Sequence, residues 1–481
     1  MTDAVTPLPA DTRLVADASL RRRLGGRLLI GGSPLRFIRL SPKGGDMVSG
    51  WLRGDQVGAA TGANRLARRL LAAGMLHPVP SARWLEQPLT VVIPVKDDQV
   101  GLERTVALLP TLPIVVVDDG SAVALSPPRR RSGAPVELVR RPAAGGPGVA
   151  RNDGLDAVVT PLVAFVDAGV EVAEATLDRL SRWFADPDVV AVGPRISASP
   201  GEGWLPTYEE VRSPLDLGPD RARVGPGGPV TYLPTACLLA RTAVVDDLGR
   251  FDPGLRYGED VDLVWRLADR GVVRYDPTEV VHHPARPSLP ALARQRLGYG
   301  RAAAPLAQRH PEHLAPVKMS GWSLAVWFLA LAGRPMVALG VAVGTAVALR
   351  RKLTASLPDA EVEAALLTVR GHWHAGMALA DAAVRVWWPI TALAAAVGLR
   401  RPAALLVATA AWRRWRSGPG PTARRLTDLG VGAVDDVAYG TGVWLGALRL
   451  RSARALLPDL ADWPGRQGPD IGHSAMNRSS S

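Results

Sequence analysis

Val115-Val116-Val117-Asp118-Asp119-Gly120-Ser121 is the stretch on which the fold turns. A short unbroken apolar run suits a strand buried on both faces of a parallel sheet. This one ends in two carboxylates and a Gly-Ser turn. In an open α/β sheet, ligands bind outside the carboxyl ends of the strands, so Asp118 and Asp119 are expected at the ligand edge. Carboxylates there accept hydrogen bonds from a nucleobase N–H or ribose hydroxyls. Asp and Ser also favour strand–helix turns on their own account, so the stretch taken alone fits a structural cap equally well.

Working outward, the same kind of run recurs at 89–94 and 162–166, with helix-compatible stretches at 102–109 and 148–157. This βαβα order predicts an α/β fold with a doubly wound, mostly parallel sheet. The first run leads through Pro94 and Val95 to Lys96 and Asp97. Gly145-Gly146-Pro147-Gly148 opens the helix that carries Arg151 and Asn152. A helix N-terminus favours phosphate, and a guanidinium suits a diphosphate. The competing reading is a glycine-rich surface loop with Arg151 in an ion pair. The third run ends in Asp167-Ala168-Gly169-Val170-Glu171, where a carboxylate can hold a divalent cation bridging two phosphates. Gly258-Glu259-Asp260-Val261-Asp262 precedes a helical Leu263–Leu267 pattern. These acids fit either a helix N-terminus or a general base that takes a proton from a hydroxyl. His282 and His283 follow a strand-like Val280-Val281; they are structural, metal ligands or phosphate contacts.

The flanks differ in character. Residues 1–87 contain two short strands, at 27–32 and 35–40, and a helix at 64–74. They read as a small α+β module of winged-helix type or as a cap on the next segment. Residues 88–318 hold the sheet, 319–463 form an apolar helical region, and 464–481 are polar and expected to be disordered. The apolar arms at 323–332, 336–349, 387–399 and 403–412 are each shorter than the roughly 20 residues that cross a bilayer. They fit interfacial or re-entrant hairpins, or core helices. Neighbouring Arg clusters and Trp322, Trp327, Trp387, Trp388, Trp412 and Trp415 favour a membrane surface as partner. The chain has 481 residues, which suggests two or three units. Its net charge is +12, with only four lysines, Lys43, Lys96, Lys318 and Lys352, among 57 Lys and Arg. Such a surface attracts phosphates and anionic headgroups. No recognition helix or RNA-binding strand pattern is present, so nucleic acid is not an expected partner. One cysteine, Cys237, excludes an intrachain disulfide and a cysteine-based zinc site. The N-terminus lacks a secretory pattern, so the cytoplasmic side of the membrane, peripheral or re-entrant, is the expected location. A soluble cytoplasmic protein is the alternative.

The strand at 91–94, the Asp118-Asp119-Gly120-Ser121 element, Arg151-Asn152, Asp167 and Glu259-Asp260 stand in the order found in GT-A, family 2 glycosyltransferases. The resemblance covers residues 88–308. A closer one is to the mycofactocin-system subfamily, through Leu233–Leu238, Gly249-Arg250-Phe251-Asp252, Gly258–Leu263, His283-Pro284-Ala285-Arg286 and Gln295–Gly300. It implies an inverting enzyme that moves glucose from UDP-glucose to a peptide-derived redox cofactor, building a short β-glucan. Carried over residue by residue, Asp118 and Asp119 would hold the uridine, with Pro94, Lys96, Arg151 and Asn152 in the nucleotide-sugar site. Asp260, beside Glu259, would be the catalytic base. Asp167, with His283, would hold Mg2+ or Mn2+. Gln295, Arg296 and Tyr299 would face the acceptor or the diphosphate. Gly31-Gly32-Ser33-Pro34 is similar to PqqD-like peptide-recognition modules. One departure stands out: the family usually has Asp-x-Asp where this chain has Asp167-Ala168-Gly169. The cation is then held by Asp167 with water and a histidine, or with Glu171, or weakly. Two other functions share these motifs. One is a cell-envelope transferase such as a rhamnosyltransferase; the other is a degenerate module that binds glycan or peptide without catalysis.

Overall fold

The computed structural model describes residues 6–80, 87–130, 132–354, 360–418 and 421–461. The tail anticipated at 464–481 lies outside the described residues. Two compact units emerge, Met1–Arg286 and Pro287–Ser481.

The first unit opens with β1 (Arg13–Ala16), β2 (Arg21–Arg23), β3 (Leu28–Gly31), β4 (Arg36–Arg39), α1 (Pro42–Leu52), α2 (Thr61–Ala72) and β5 (Leu76–Val79). β1 pairs antiparallel with β5, and β2, β3 and β4 form a second antiparallel sheet. Leu29, Ile38, Val48, Trp51, Leu70 and Met75 share one buried cluster. The two anticipated strands and the 64–74 helix are β3, β4 and α2. α1 was not anticipated, because Gly44, Gly45 and Gly50 depress its helix propensity. Its start is fixed instead by Ser41, whose hydroxyl accepts from the Gly44 amide at 3.1 Å, and by Pro42 in the first turn.

The sheet of this unit is built from β6 (Leu89–Val95), α3 (Gln99–Ala107), β7 (Ile114–Asp118), β8 (Val136–Arg140), α4 (Pro147–Leu155), β9 (Leu162–Val166), α5 (Glu174–Ser181), β10 (Val189–Ala198), α6 (Trp204–Arg212), β11 (Ala222–Val224), β12 (Cys237–Arg241), α7 (Thr242–Asp247), α8 (Glu259–Arg270) and β13 (Val272–His283). Eight strands lie in the order β11-β13-β10-β12-β9-β6-β7-β8. β12 and β11 run antiparallel to their neighbours; the rest are parallel, giving the mixed, mostly parallel α/β sheet expected. Both faces are covered. Val91, Ile93, Val116, Ala164 and Val166 enter one core, while Val92, Val115, Val117, Val163 and Phe165 enter the other. Side-chain alternation along each strand explains why the runs are continuously apolar.

The second unit holds α9 (Leu289–Arg309), β14 (Lys318–Ser320), α10 (Gly321–Leu331), α11 (Pro335–Leu353), α12 (Ala360–Arg385), α13 (Trp388–Ala396), α14 (Arg400–Ser417), α15 (Thr422–Arg449) and β15 (Asp459–Ala461). The division at 286/287 falls inside the 88–318 segment, so α9 belongs with the helices that follow it. The reason is packing. A Cβ on Gly300 would sit 2.0 Å from the Tyr439 carbonyl oxygen, and one on Gly442 would sit 2.2 Å from that of Leu297. Only paired glycines let α9 and α15 approach so closely. Arg296 of α9 also meets Asp435 of α15 at 2.8 Å. The four anticipated apolar arms are α10, α11, α13 and α14. Among the described residues, no helix is long and apolar enough to cross a membrane.

Candidate active site

β6, β7, β9, β10 and β13 run parallel, so their C-terminal ends share one edge. The site is assembled there within the first unit. Asp118 ends β7 and is fully buried. Its Oδ1 accepts the Ser121 amide at 2.9 Å and its Oδ2 meets Arg140 at 3.4 Å. Burial opposes ionisation, but the Ser121 hydroxyl and amide, the Leu125 amide and Arg140 outweigh it and hold the carboxyl below its usual range. Asp118 therefore closes the turn. Asp119 reaches further. Its two oxygens accept the amides of Gly145 and Gly146 at 2.7 and 2.8 Å, and Arg141 approaches at 3.0 Å. It fixes the glycine loop that opens α4. Lys96 is exposed just beyond β6, whereas Pro94 is buried within it.

α4 supplies Arg151 and Asn152. Asn152 donates to the Phe251 carbonyl at 2.8 Å and accepts the Phe251 amide at 3.0 Å, which ties α4 to the loop ahead of α8. Arg151 is buried over the Phe251 ring, 5.5 Å from its centroid. Its guanidinium donates to Asp167 Oδ1 at 2.7 Å and to Glu259 Oε1 at 3.0 Å. Thus Arg151, Asp167 and Glu259, from three elements, form one charged cluster. Burial works against the charge of Arg151, but Asp167 and Glu259 outweigh it and raise its affinity for the proton.

Glu259 and Asp260 begin α8 after Gly258, which takes the left-handed conformation at φ 77°. Burial lifts Glu259 to about 7, the Asp260 charge adds to this, and Arg151 opposes it. Asp260 is also raised, first by burial, although the Val261 amide donates to its Oδ1 at 2.8 Å and Arg151 is nearby. A carboxylate so placed gains basicity, which is what proton removal from a hydroxyl requires.

Asp167 follows β9, and its side chain is 32% exposed, so one oxygen faces Arg151 while the carboxylate stays open to solvent. His283 ends β13. Its Nδ1 lies 2.9 Å from the Pro284 carbonyl oxygen, which only accepts, so the neutral ring keeps its lone pair on Nε2. Burial, then Arg286, favours that neutral form. No group of three His, Cys, Asp or Glu side chains able to hold a metal exists among the described residues. The second carboxylate of an Asp-x-Asp pair would stand at Gly169. There φ is +88°, and a Cβ would lie 3.1 Å from Pro284 Cγ. The backbone is held, since the Gly169 amide donates to Thr105 Oγ1 at 2.9 Å. Glycine suits this turn, and an acid here would carry a strained backbone and press on Pro284. One open carboxylate still fits a cation that keeps waters and takes oxygens from a diphosphate.

Gln295, Arg296 and Tyr299 lie on α9 in the second unit. Gln295 donates to the Tyr299 hydroxyl at 2.9 Å and accepts from Arg296 at 2.8 Å. Arg296 is buried against Asp435, so it orients the other two. Three contributors escaped the sequence reading: Thr105, Arg141 and Arg266, the last as the partner of Asp262. Asp262 is fully buried and bonds Arg266 at 2.8 Å, while Arg266 donates to the Leu248 and Arg250 carbonyls. Their i,i+4 spacing was the available signal.

Residues 90–248 match the family described as Glycosyl transferase family 2. The Pre-mycofactocin glycosyltransferase of Mycobacterium tuberculosis, in two strains, is 38% identical over 471 residues, covering 95% of this chain and 99% of the relative. Among solved structures, the mannosyltransferase PcManGT from Pyrobaculum calidifontis, in complex with GDP-Man and Mn2+, aligns at 17% identity and a TM-score of 0.42. That alignment covers 76% of this chain and 89% of that one.

Proposed function

The chain belongs to the family of the pre-mycofactocin glycosyltransferase, within family 2, and from that premise we propose an inverting transfer of glucose from UDP-glucose to a peptide-derived redox cofactor. The observation that carries the chemistry is Asp260 with Glu259: two acids of raised basicity beside the Arg151–Asp167 pair at the strand edge. Asp260 takes the proton from the acceptor hydroxyl. The hydroxyl oxygen bonds to the anomeric carbon as the bond to UDP breaks on the opposite face, so the configuration inverts. Glu259 and Asp167 hold Arg151, whose charge stays near the departing diphosphate. The α4 N-terminus, held by Asp119, faces the phosphates, and Asp118 keeps the uridine turn closed. Asp167, with His283 Nε2, would hold Mg2+ or Mn2+, which would offset the charge of the leaving group. Gln295, Arg296 and Tyr299 would face the acceptor or the diphosphate, as the family resemblance implies. The module at 1–87 recognises the peptide portion, and the region at 319–463 rests on the cytoplasmic face of the membrane.

The test uses the full chain with UDP-glucose, a divalent cation and a peptide-derived acceptor. UDP release and a product one hexose heavier, β-linked by NMR, are the expected results. Nucleotide binding with no UDP release on any acceptor would indicate a binding module instead. Turnover only with another donor and a lipid-linked acceptor would indicate a cell-envelope enzyme.

A further inference from the structure

The second unit turns much of its apolar surface outward. Phe328, Met336, Leu339 and Val343 on α10 and α11, with Leu393 and Leu405 on α13 and α14, are between 51% and 76% exposed. Large apolar side chains exposed in such number mark a binding face. Part of its basic charge is paired within the unit, Arg350 with Glu361, Arg413 with Asp381 and Arg414 with Asp436, but the two arms themselves carry no acid. Residues 321–354 and 386–418 contain no Asp or Glu. Basic residues stand at both ends of each long apolar helix. Arg334 precedes α11 and Arg350-Arg351-Lys352 closes it; Arg400-Arg401 opens α14 and Arg413, Arg414 and Arg416 close it. Arg334, Arg400 and Arg401 are exposed.

Length then decides the orientation. The uncharged stretches are 335–349 in α11 and 402–412 in α14. At the α-helical rise they measure about 22 Å and about 16 Å, against a hydrocarbon core of about 30 Å. Dipping end-on from the Arg350 or Arg413 end would carry Arg334, or Arg400 and Arg401, into the hydrocarbon, the least favourable place for a guanidinium. Lying flat lets exposed basic groups at both ends, Arg334, Arg400 and Arg401 at one and Arg351, Lys352 and Arg416 at the other, reach headgroup phosphates while the apolar face enters the acyl boundary. Trp322 and Trp412, both partly exposed, suit that depth. A second copy of the chain is a poorer occupant, because the same face would bring like charges together.

We infer that α10–α11 and α13–α14 lie in the plane of an anionic membrane leaflet and do not dip into it. This rests on the proposed membrane partner and adds its orientation and lipid charge. The test is sedimentation of the full chain with phosphatidylcholine vesicles, with and without phosphatidylglycerol, for the natural sequence and for Arg334→Gln/Arg400→Gln/Arg401→Gln. The expected result is binding to the anionic vesicles only, weakened by salt, with the triple variant weaker by on the order of 100-fold and its thermal unfolding unchanged. Equal or tighter binding by the variant overturns the flat orientation, since removing tip charges eases dipping. No binding to either vesicle, or self-association in its place, overturns the membrane partner altogether. UDP release in detergent, measured on the same preparations, reports the transferase reading separately.

Discussion

Gly169 stands where an Asp-x-Asp pair would carry its second acid. Its φ of +88° strains any L side chain there, and a Cβ 3.1 Å from Pro284 Cγ requires that ring to give way. Restoring the usual pair with Gly169→Asp is therefore expected to cost about 1–2 kcal/mol for the left-handed backbone alone, and to leave Mn2+ affinity no tighter. Urea unfolding and a Mn2+ titration check both halves; a tighter, equally stable variant would contradict the account. Asp260 carries the opposite kind of weight. Its carboxylate accepts the Val261 amide, a bond that an amide oxygen can keep, so Asp260→Asn preserves the shape of the α8 start. Transfer is expected to fall by on the order of 100- to 10,000-fold, with UDP affinity within a factor of about two in calorimetry. Near-normal UDP release from that variant would remove Asp260 as the base.

At the scale of elements, what matters is how each helix start is set. Glu259 and Asp260 are both raised above the ordinary carboxylate range, burial being the first cause, and the base works only when deprotonated. The rate is therefore expected to be suppressed at acid pH and still rising above the ordinary carboxylate range before it levels, with Glu259, at about 7, losing its own proton within that rise. A profile of kcat/KM from UDP release checks this, and a rate already flat at pH 5 would sink it. α4 depends on Asp119 in another way. Removing its carboxylate frees the Gly145 and Gly146 amides and leaves Arg141 without that partner. Asp119→Ala is expected to weaken UDP binding by about tenfold through loop disorder, while Asp119→Asn, which retains one acceptor, recovers part of it. Unchanged affinity in the alanine variant would mean the loop does not touch the nucleotide. The strand ends themselves were legible, because a run such as Val115–Val117 feeds two cores and leaves its acids at the edge. α12 and α15 were not, since Glu363, Asp428, Asp435 and Asp436 interrupt their apolar pattern. Those acids are buried, and Asp435 and Asp436 are satisfied by Arg296, Arg385 and Arg414 from other helices, a pairing that no local window contains.

Across the whole molecule, the limits of the sequence are limits of distance. The Arg151–Glu259 pair joins residues 108 positions apart, and Asn152–Phe251 joins residues 99 apart. Each partner was quoted in the sequence, but only folding reveals that Arg151 is shared between Asp167 and Glu259. The same holds for the attachment of residues 6–80. They have their own core, yet Arg68 on α2 reaches Asp186 through two bonds of 2.8 and 2.7 Å and Asp188 at 3.2 Å, and its Nε donates to the Thr6 carbonyl at 3.0 Å. The Arg68 and Asp186 side chains are 13% and 10% exposed, so this is a largely desolvated pair. Breaking one side leaves the acids uncompensated, a loss of about 3 kcal/mol. Because the two cores are separate, that loss should appear where Arg68 acts and not everywhere. Hydrogen exchange by mass spectrometry on Arg68→Ala is therefore expected to show faster exchange across β1, α2 and β5, with β6, β7 and β9 still protected and UDP release nearly unchanged. Equal loss of protection in both regions would mean that residues 6–80 and the sheet unfold as one body, and no loss in either would mean that Arg68 is not what holds them together.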